Sequence, residues 1–362
     1  MEPVRTTTAG GSTGGSGDTQ AWLGAGGPAV VLHAVEVSLR ERLELRRERL
    51  AEALDERRAA PAELEGLLGE VDRALDRLAA GKFGICEECG DPVEVERIVS
   101  DPLIRVCLDH LSAPERRALE HDLETAARVQ AALLPAADQT VHGWEIHLDY
   151  LPAGPVSGDF CVLVPDGERG GLHVLFGDAI GKGVAASLLM SQLHALFRVL
   201  VSSPRAPEDL VAELNRLLRE STPAGRFATL VYARLSGTGE VELVNAGHLP
   251  PLVVRAGGVE RLPSDGMPVG LFDGLSFSSQ RLSLAAGETL VLYTDGITEA
   301  TDGSGREFGV DRFAAAFEAA GTAGARDLAA RPLRDLASFR GRGKGDDLSL
   351  LALRRSGGSR AD

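Results

Sequence analysis

"LHVLFGDAIGKGVAASLLM", residues 172–190, decides how the second half of the chain is read. Leu172 to Phe176 form a short apolar run that reads as a strand. Gly177 and Asp178 end it, and Gly181 and Gly183 open a turn. From Val184 the apolar residues follow helical spacing to about Val201. Strand, acidic turn and helix thus follow one another without a gap. A carboxylate at a strand end, with glycine beside it, can point a hard oxygen into a shared crevice.

The same texture extends outward from about Trp144. Strand-like runs occur at "WEIHLDYLPA", "FATLVYARL", "VELVNAG", "PPLVVRAGG", "LSFSSQRLSL", "ETLVLYTDG" and "LSLLALR". Helical stretches are expected near 207–220, 310–319 and 325–338. Many strands with a few inserted helices predict an α+β domain of packed sheets. Three further aspartates sit beside glycine-containing turns: Asp159 in "VSGDFC", Asp295 in "LYTDGITEA" and Asp346, followed by Asp347, in "GKGDDLSLLALR". One Asp-Gly pair is chiefly a turn signal. Four such positions together offer the hard oxygens that Mg²⁺ and Mn²⁺ prefer. Two ions held close together can activate water for in-line attack on phosphorus.

The first half has a different pattern. Leu32, Val35, Leu39, Leu43, Leu50 and Leu54 recur at helical spacing, and Leu64, Leu67, Leu68, Val71, Leu75 and Leu78 form a second stripe after Pro61. Two amphipathic helices joined by a short link predict a helical hairpin, stopped at Gly81. Two residues separate Cys86 from Cys89 and Cys107 from His110, with seventeen residues between the pairs. Three thiolates and an imidazole suit one Zn²⁺, and four protein ligands leave no open position, so the site reads as structural. A third helix is expected from Pro114 to about Leu134. The fourth cysteine, Cys161, lies outside this spacing and reads as a small packed residue.

Bulk properties exclude several function classes. The 362 residues carry a net charge of −15, which opposes general binding to a nucleic-acid backbone. No run of about 18 apolar residues suggests a membrane span, and "MEPVRTTTAGGSTGGSGDTQ" lacks a signal-peptide core. Four cysteines, three of them clustered, do not form a disulfide framework, so the reducing cytoplasm is the expected compartment.

Two resemblances sharpen the reading. The blocks "LETAARVQAALLP", "PVSGDF", "GDAIGKGVAASLLM", "FATLVYARL", "LVNAGHLPPLVV", "GMPVGLF", "LAAGETLVLYTDGITEATDGSGREFG" and "DDLSLLAL" resemble, in order, the SpoIIE-like, RsbU-type branch of bacterial PPM metal-dependent Ser/Thr protein phosphatases. The resemblance implies a two-sheet β-sandwich flanked by helices, with two Mn²⁺ or Mg²⁺ ions at one end. It implies that Asp159 and Asp178 bridge or flank the ions, with the Ala179 carbonyl as a further ligand, and that Asp295 and Asp346 complete the second ion's sphere. Asp347 is then a supporting residue, Glu299 a flank of the Asp295 loop, and His248 part of a structural turn rather than a catalytic acid. Ser157 stands where the family usually has Gly, Cys161 and Val162 where an aromatic and an Asp are common, and Lys182 where His is usual. Lysine there adds a permanent charge near an incoming phosphate.

Upstream, "LLGEVDRALDRLAAGKFGICEECGDPVEVERIVSDPLIRVCLDH" resembles the DksA/TraR zinc-finger regulators, over roughly residues 30–112. In that family the hairpin can enter the secondary channel of RNA polymerase. Here the last ligand is His110, and the tip "ALDERRAAPAE" carries Asp55 and Glu56 without the family's active-tip spacing.

The expected order is a tail over 1–28, a hairpin and zinc finger over 29–112, a linking helix over 113–136, a PPM-type domain over 137–355 and a tail over 356–362. The expected function is hydrolysis of phosphoserine or phosphothreonine on a protein. By the family likeness, the substrate is a STAS-type anti-sigma-factor antagonist. The linking helix would transmit a signal, for instance through a homodimer. The rival expectation is an RNA polymerase-binding regulator with a phosphatase-like scaffold.

Overall fold

The computed structural model describes residues 28–55, 61–94, 97–98, 101–167, 170–223, 225–264, 266–318, 324–341 and 345–357. The expected tails, but for Pro28, Ser356 and Gly357, and the hairpin tip at 56–60 lie outside the described residues. The chain divides into two compact units, Met1–Arg117 and Ala118–Asp362.

In the first unit, α1 (Pro28–Asp55) and α2 (Pro61–Ala79) form the expected hairpin. Leu43, Val71, Ala74 and Leu78 are its buried seam, as the spacing of apolar positions requires. Gly81 ends α2 at φ 65°, and its N–H donates to the Leu78 carbonyl. The finger follows and ends in a single 3₁₀ turn, Leu108–His110. The third helix, α3 (Ala113–Leu133), starts on a capping box. The Ser112 N–H donates to Glu115 Oε2 at 2.9 Å, and the Glu115 N–H returns to Ser112 Oγ at 3.4 Å.

The second unit is built on two antiparallel sheets. One has the order β1 (Asp138–Val141), β2 (Trp144–Leu151), β11 (Leu348–Arg355), β10 (Thr289–Tyr293), β7 (Leu252–Arg255), β8 (Gly258–Arg261). The other runs β3 (Asp159–Asp166), β4 (Gly171–Ala179), β5 (Ala228–Ser236), β6 (Glu240–Ala246), β9 (Gln280–Ser283).

Side chains alternate between the two faces of each strand. Val174 and Phe176 therefore join Leu290, Leu292, Leu351 and Leu353 in the core between the sheets. Leu175 faces the other way, onto α4 (Val184–Leu200) and α5 (Pro207–Ser221), where it meets Leu193, Phe197 and Leu214. Val291, Tyr293 and Leu350 face α7 (Val310–Glu318) and α8 (Ala325–Phe339), packing with Phe313, Phe317 and Leu336. Between β10 and α7 lies a four-residue helical turn, α6 (Asp295–Thr298). The result is the expected two-sheet sandwich with helices outside each sheet. Each apolar face that the alternation creates is covered.

Candidate active site

β3 and β4 pair antiparallel, and their register sets Asp159 directly opposite Asp178. Asp178 in turn pairs with Thr229 on β5. Asp295 opens α6 at the end of β10, and Asp346 and Asp347 precede β11, which is hydrogen-bonded to β10. Asp159, Asp178, Asp295, Asp346 and Asp347 thereby line one cleft of about 300 Å³, together with Lys182 and Thr229. The four aspartates expected to work together are brought together by both sheets.

Each carboxylate is held differently. Asp159 is buried, and its Oδ2 accepts the Thr294 hydroxyl at 2.9 Å and the Ser349 hydroxyl at 2.6 Å. Thr294 stands at the N-cap of α6, yet its hydroxyl makes no cap bond. It serves Asp159 instead and accepts the Ser349 N–H at 3.0 Å. Asp347 spends both oxygens on main chain: Oδ1 accepts the Ala153 N–H at 2.7 Å and Oδ2 the Gly158 N–H at 3.0 Å. It therefore clamps the loop that carries Asp159. From α3, the buried Gln130 grips the same loop, donating to the Ser157 carbonyl at 2.6 Å and accepting the Ser157 N–H at 3.0 Å. Thr294, Ser349 and Gln130 carry no signal in the sequence that ties them to Asp159 or its loop.

Two glycines make close approaches possible. A methyl group at position 158 would stand 2.7 Å from both the Ala179 carbonyl oxygen and Asp178 Oδ1. Only a residue without Cβ leaves those two oxygens side by side over the loop. At position 296 a methyl would stand 1.9 Å from the Asp347 carbonyl oxygen. Gly296 thus lets the first turn of α6 lie against the strand that brings in Asp346 and Asp347.

So many carboxylates in one cleft repel one another. Burial, then the charges of Asp347 and Asp295, push the Asp159 carboxyl up to about 7. Burial, then the Asp159 charge, pushes Asp178 up to about 8. Burial and Asp346 also raise Asp295. Such groups are short of positive charge. Hard oxygens around an open cleft fit Mg²⁺ or Mn²⁺, which take one or two carboxylates each and keep several waters. Among the described residues the one cationic side chain lining the cleft is Lys182, whose Nζ lies 2.8 Å from Asp346 Oδ2. This ion pair was not readable from the sequence.

Of the positions that depart from the family pattern, Lys182 lines the cleft, whereas Cys161 and Val162 are core positions. Cys161 is buried between the sheets, and Val162 packs beneath α4 and α5. Neither lines the cleft. Burial raises the Cys161 thiol, which keeps it neutral. Glu299 is exposed and lines a neighbouring cavity of about 210 Å³ with Lys182, Arg340 and Asp346.

His248 is a structural bridge. Nε2 lies 3.0 Å from the Tyr293 carbonyl and must donate to it, so Nδ1, 2.9 Å from Thr229 Oγ1, accepts that hydroxyl. Burial pushes this imidazole down to about 4. Its folded value lies below the ordinary histidine value of 6.5, so the unfolded chain binds the extra proton between the two. Stability is therefore complete above pH 6.5 and is lost as pH falls toward 4, by about 3 kcal/mol. Urea unfolding followed from pH 7 to 4 should show this acid slope, and His248→Gln should flatten it.

The first unit holds a second cluster. The ligand atoms of Cys86, Cys89, Cys107 and His110 all lie within 4.8 Å of one another. Cys107 Sγ is 3.2 Å and Cys86 Sγ 4.0 Å from His110 Nδ1, and Cys89 Sγ is 3.8 Å from Cys107 Sγ. The edges of a zinc tetrahedron, with bonds of about 2.0–2.3 Å, are about 3.3–3.8 Å, so the spacing and donor set fit that ion. Around it, Glu94 Oε1 accepts the Leu108 N–H at 3.1 Å, and Arg77 donates to the Ile85 carbonyl at 2.8 Å. Both contacts fix the ligand-bearing loops.

A two-sheet sandwich flanked by helices, with an aspartate-lined cleft, is the PPM (PP2C) phosphatase fold. The chain belongs to the family described as stage II sporulation protein E (SpoIIE), which matches residues 168–356. It is similar to the phosphoserine phosphatase RsbP of Bacillus subtilis, 29% identical over 191 residues, covering 50% of this chain and 46% of that one. The crystal structure of the RsbU and RsbW domains of Rv1364c from Mycobacterium tuberculosis superposes with a TM-score of 0.52 at 28% identity, covering 60% of this chain and 61% of the other. A shorter stretch is similar to the RNA polymerase-binding transcription factor DksA of Caulobacter vibrioides, 33% identical over 55 residues, 15% of this chain and 39% of that protein. The chain spans about half or less of the length of the first curated relatives it matches.

Proposed function

We propose that the protein is a metal-dependent phosphatase that hydrolyses phosphoserine or phosphothreonine on a regulatory protein. The observation that carries this reading is the set of five aspartates around one cleft, with Asp159 and Asp178 face to face across the β3–β4 pair. Asp159, Asp178, Asp295 and Asp346, with the Ala179 carbonyl, would hold two Mn²⁺ or Mg²⁺ ions. When bound, such ions supply a water activated for in-line attack on phosphorus, without a covalent enzyme intermediate. Thr294 and Ser349 orient Asp159, and Asp347 keeps the preceding loop in place. Gly158 keeps the floor of the cleft clear for the Asp178 and Ala179 oxygens.

The likeness to RsbP and to the RsbU domain supports a phosphorylated anti-sigma-factor antagonist of the STAS type as substrate. The Cys86, Cys89, Cys107 and His110 cluster is assigned to a structural Zn²⁺ that folds the finger. The hairpin and finger would serve as an input module, with α3 as the link to the phosphatase domain and the cytoplasm as the place of action. Among the described residues no helix is long and apolar enough to cross a membrane. The polymerase-binding reading rests on the 55-residue likeness to DksA, and the hairpin tip it would use lies outside the described residues.

Hydrolysis of p-nitrophenyl phosphate and of a phosphoserine peptide with Mn²⁺ tests the proposal. Wild type should turn over both, and Asp295→Ala should lose at least about a hundredfold in rate, the scale of a lost electrostatic contact to the reacting centre. A wild-type protein inactive with every divalent ion on both substrates would sink it.

A further inference from the structure

Asp346 is the proposed ion ligand whose two oxygens are already taken. Oδ1 accepts the Asp347 N–H at 2.9 Å, and Oδ2 accepts the Lys182 ammonium at 2.8 Å. The lysine belongs to the turn between β4 and α4. Gly181 and Gly183 on either side of it have φ of 97° and 71°. These are conformations that residues with a Cβ avoid. The turn therefore carries Lys182 across the cleft from the five-stranded sheet to an aspartate of the six-stranded one.

The pair sits at the mouth. The Lys182 side chain is 70% exposed and that of Asp346 39%. Exposure keeps the contact weak, since solvent screens such pairs. The ammonium also has somewhere to go, because Lys182 lines the neighbouring cavity of about 210 Å³ with Glu299 and Arg340.

We propose that Lys182 is a tethered competitor for the Asp346 corner of the metal cleft. An ammonium and a divalent ion cannot both sit against one carboxylate oxygen without strong repulsion at that range. Entry of an ion at Asp346 and departure of Lys182 are then one exchange. The exchange weakens the second ion's hold, and it leaves a displaced cation at the mouth, where the oxygens of a phosphate arrive. This inference rests on the reading of the cleft as a two-ion phosphatase site.

Calorimetric titration of Mn²⁺ into the zinc-loaded full chain tests it, with wild type, Lys182→Gln, Lys182→Arg and Asp178→Asn compared. Lys182→Gln should bind the weaker of two Mn²⁺ ions about 5-fold more tightly than wild type, the scale of a lost surface ion pair plus lost repulsion. Lys182→Arg keeps the charge and should bind like wild type. Circular dichroism confirms that each variant is folded. If Lys182→Gln binds the weaker ion no more tightly than wild type, while Asp178→Asn has lost Mn²⁺, the competitor role is overturned and the metal site stands. If no variant, wild type included, takes up Mn²⁺, the two-ion reading fails and the inference fails with it.

Discussion

Replacing Asp178 with asparagine should lower metal-dependent turnover by about a thousandfold or more while raising the stability of the metal-free protein. Both effects come from one charge. In catalysis the carboxylate would hold a divalent ion beside the reacting phosphorus, and an amide of the same shape supplies neither charge nor ligand strength; a loss of about 10³ is the scale of a missing preorganised charge in a cleft. In folding the same carboxylate is a burden. Its folded-state value, about 8, lies above the ordinary aspartate value of 3.8, chiefly through burial and then through Asp159 opposite it. For an acid shifted upward, the folded form binds the extra proton between those two values. Stability is then present at low pH and is lost as pH rises from about 4 through 8. Asparagine removes that loss, so at pH 8.5 metal-free Asp178→Asn should be about 1–3 kcal/mol more stable than wild type. Thermal melts with chelator and initial rates with Mn²⁺ check the two signs. A variant that lost activity and stability together would point to simple misfolding.

Removing the metal from the finger should have the largest structural effect. Around the tetrad, the buried residues of the first unit's second small core are Leu39, Cys86, Val93, Ile98 and Cys107, and two of these are proposed zinc ligands. A core this small cannot offset the ordering of its loops, and structural Zn²⁺ contributes about 10–16 kcal/mol in comparable peptides. Cys86 and Cys89 share a proton, so one thiol of the pair is lowered as the other, Cys89, is raised. Burial alone would raise the Cys86 thiol, but the main-chain N–H groups of Cys107, Cys89 and Glu88 outweigh burial and bring it down to about 6. A strong chelator at pH 7, or Cys107→Ser, should expose residues 81–112 to rapid amide exchange and protease. Zinc-loaded wild type should be protected there, and zinc should restore the chelated protein but not the variant. Equal protection with and without zinc would remove the ion from the account of this unit.

The helices were legible because punctuation is local. Pro61, Gly81, Gly183 and Pro207 each mark a boundary, and the elements begin or end within a residue or two of them. The strand β3 was not read as one. Its sequence, "DFCVLVPD", is a nearly continuous apolar run containing a proline, and it faces a core on both sides, so it lacks the alternation that marks a half-exposed strand. β1 and β8 are too short to show a period. The expected strand over 275–284 shrinks to Gln280–Ser283.

The site shows the same division. The four aspartates stood out because each lies beside a glycine turn, and all four line the cleft. What holds them did not stand out. Thr294 lies 135 residues from Asp159 and Ser349 lies 190 away, and an ordinary hydroxyl carries no mark of such a distant partner. Lys182 was expected near phosphate. Its contact with Asp346, 164 residues away, depends on which sheet faces which, and only the fold supplies that.

The pairing of β3 with β4 has a consequence for how this cleft tolerates change. Asp159 and Asp178 meet at one end of a ladder of eight residue pairs, and the connection between Asp166 and Gly171 joins the other end. At about 3.4 Å per residue, the ladder separates the acidic pair from that connection by roughly 24 Å. Their mutual spacing is fixed by the hydrogen-bonded rungs between them, so the hairpin works as a ruler with its scale at the far end from its handle. Chain length and chemistry in that connection are free to drift, or to carry an inserted tag, while the two carboxylates keep their distance.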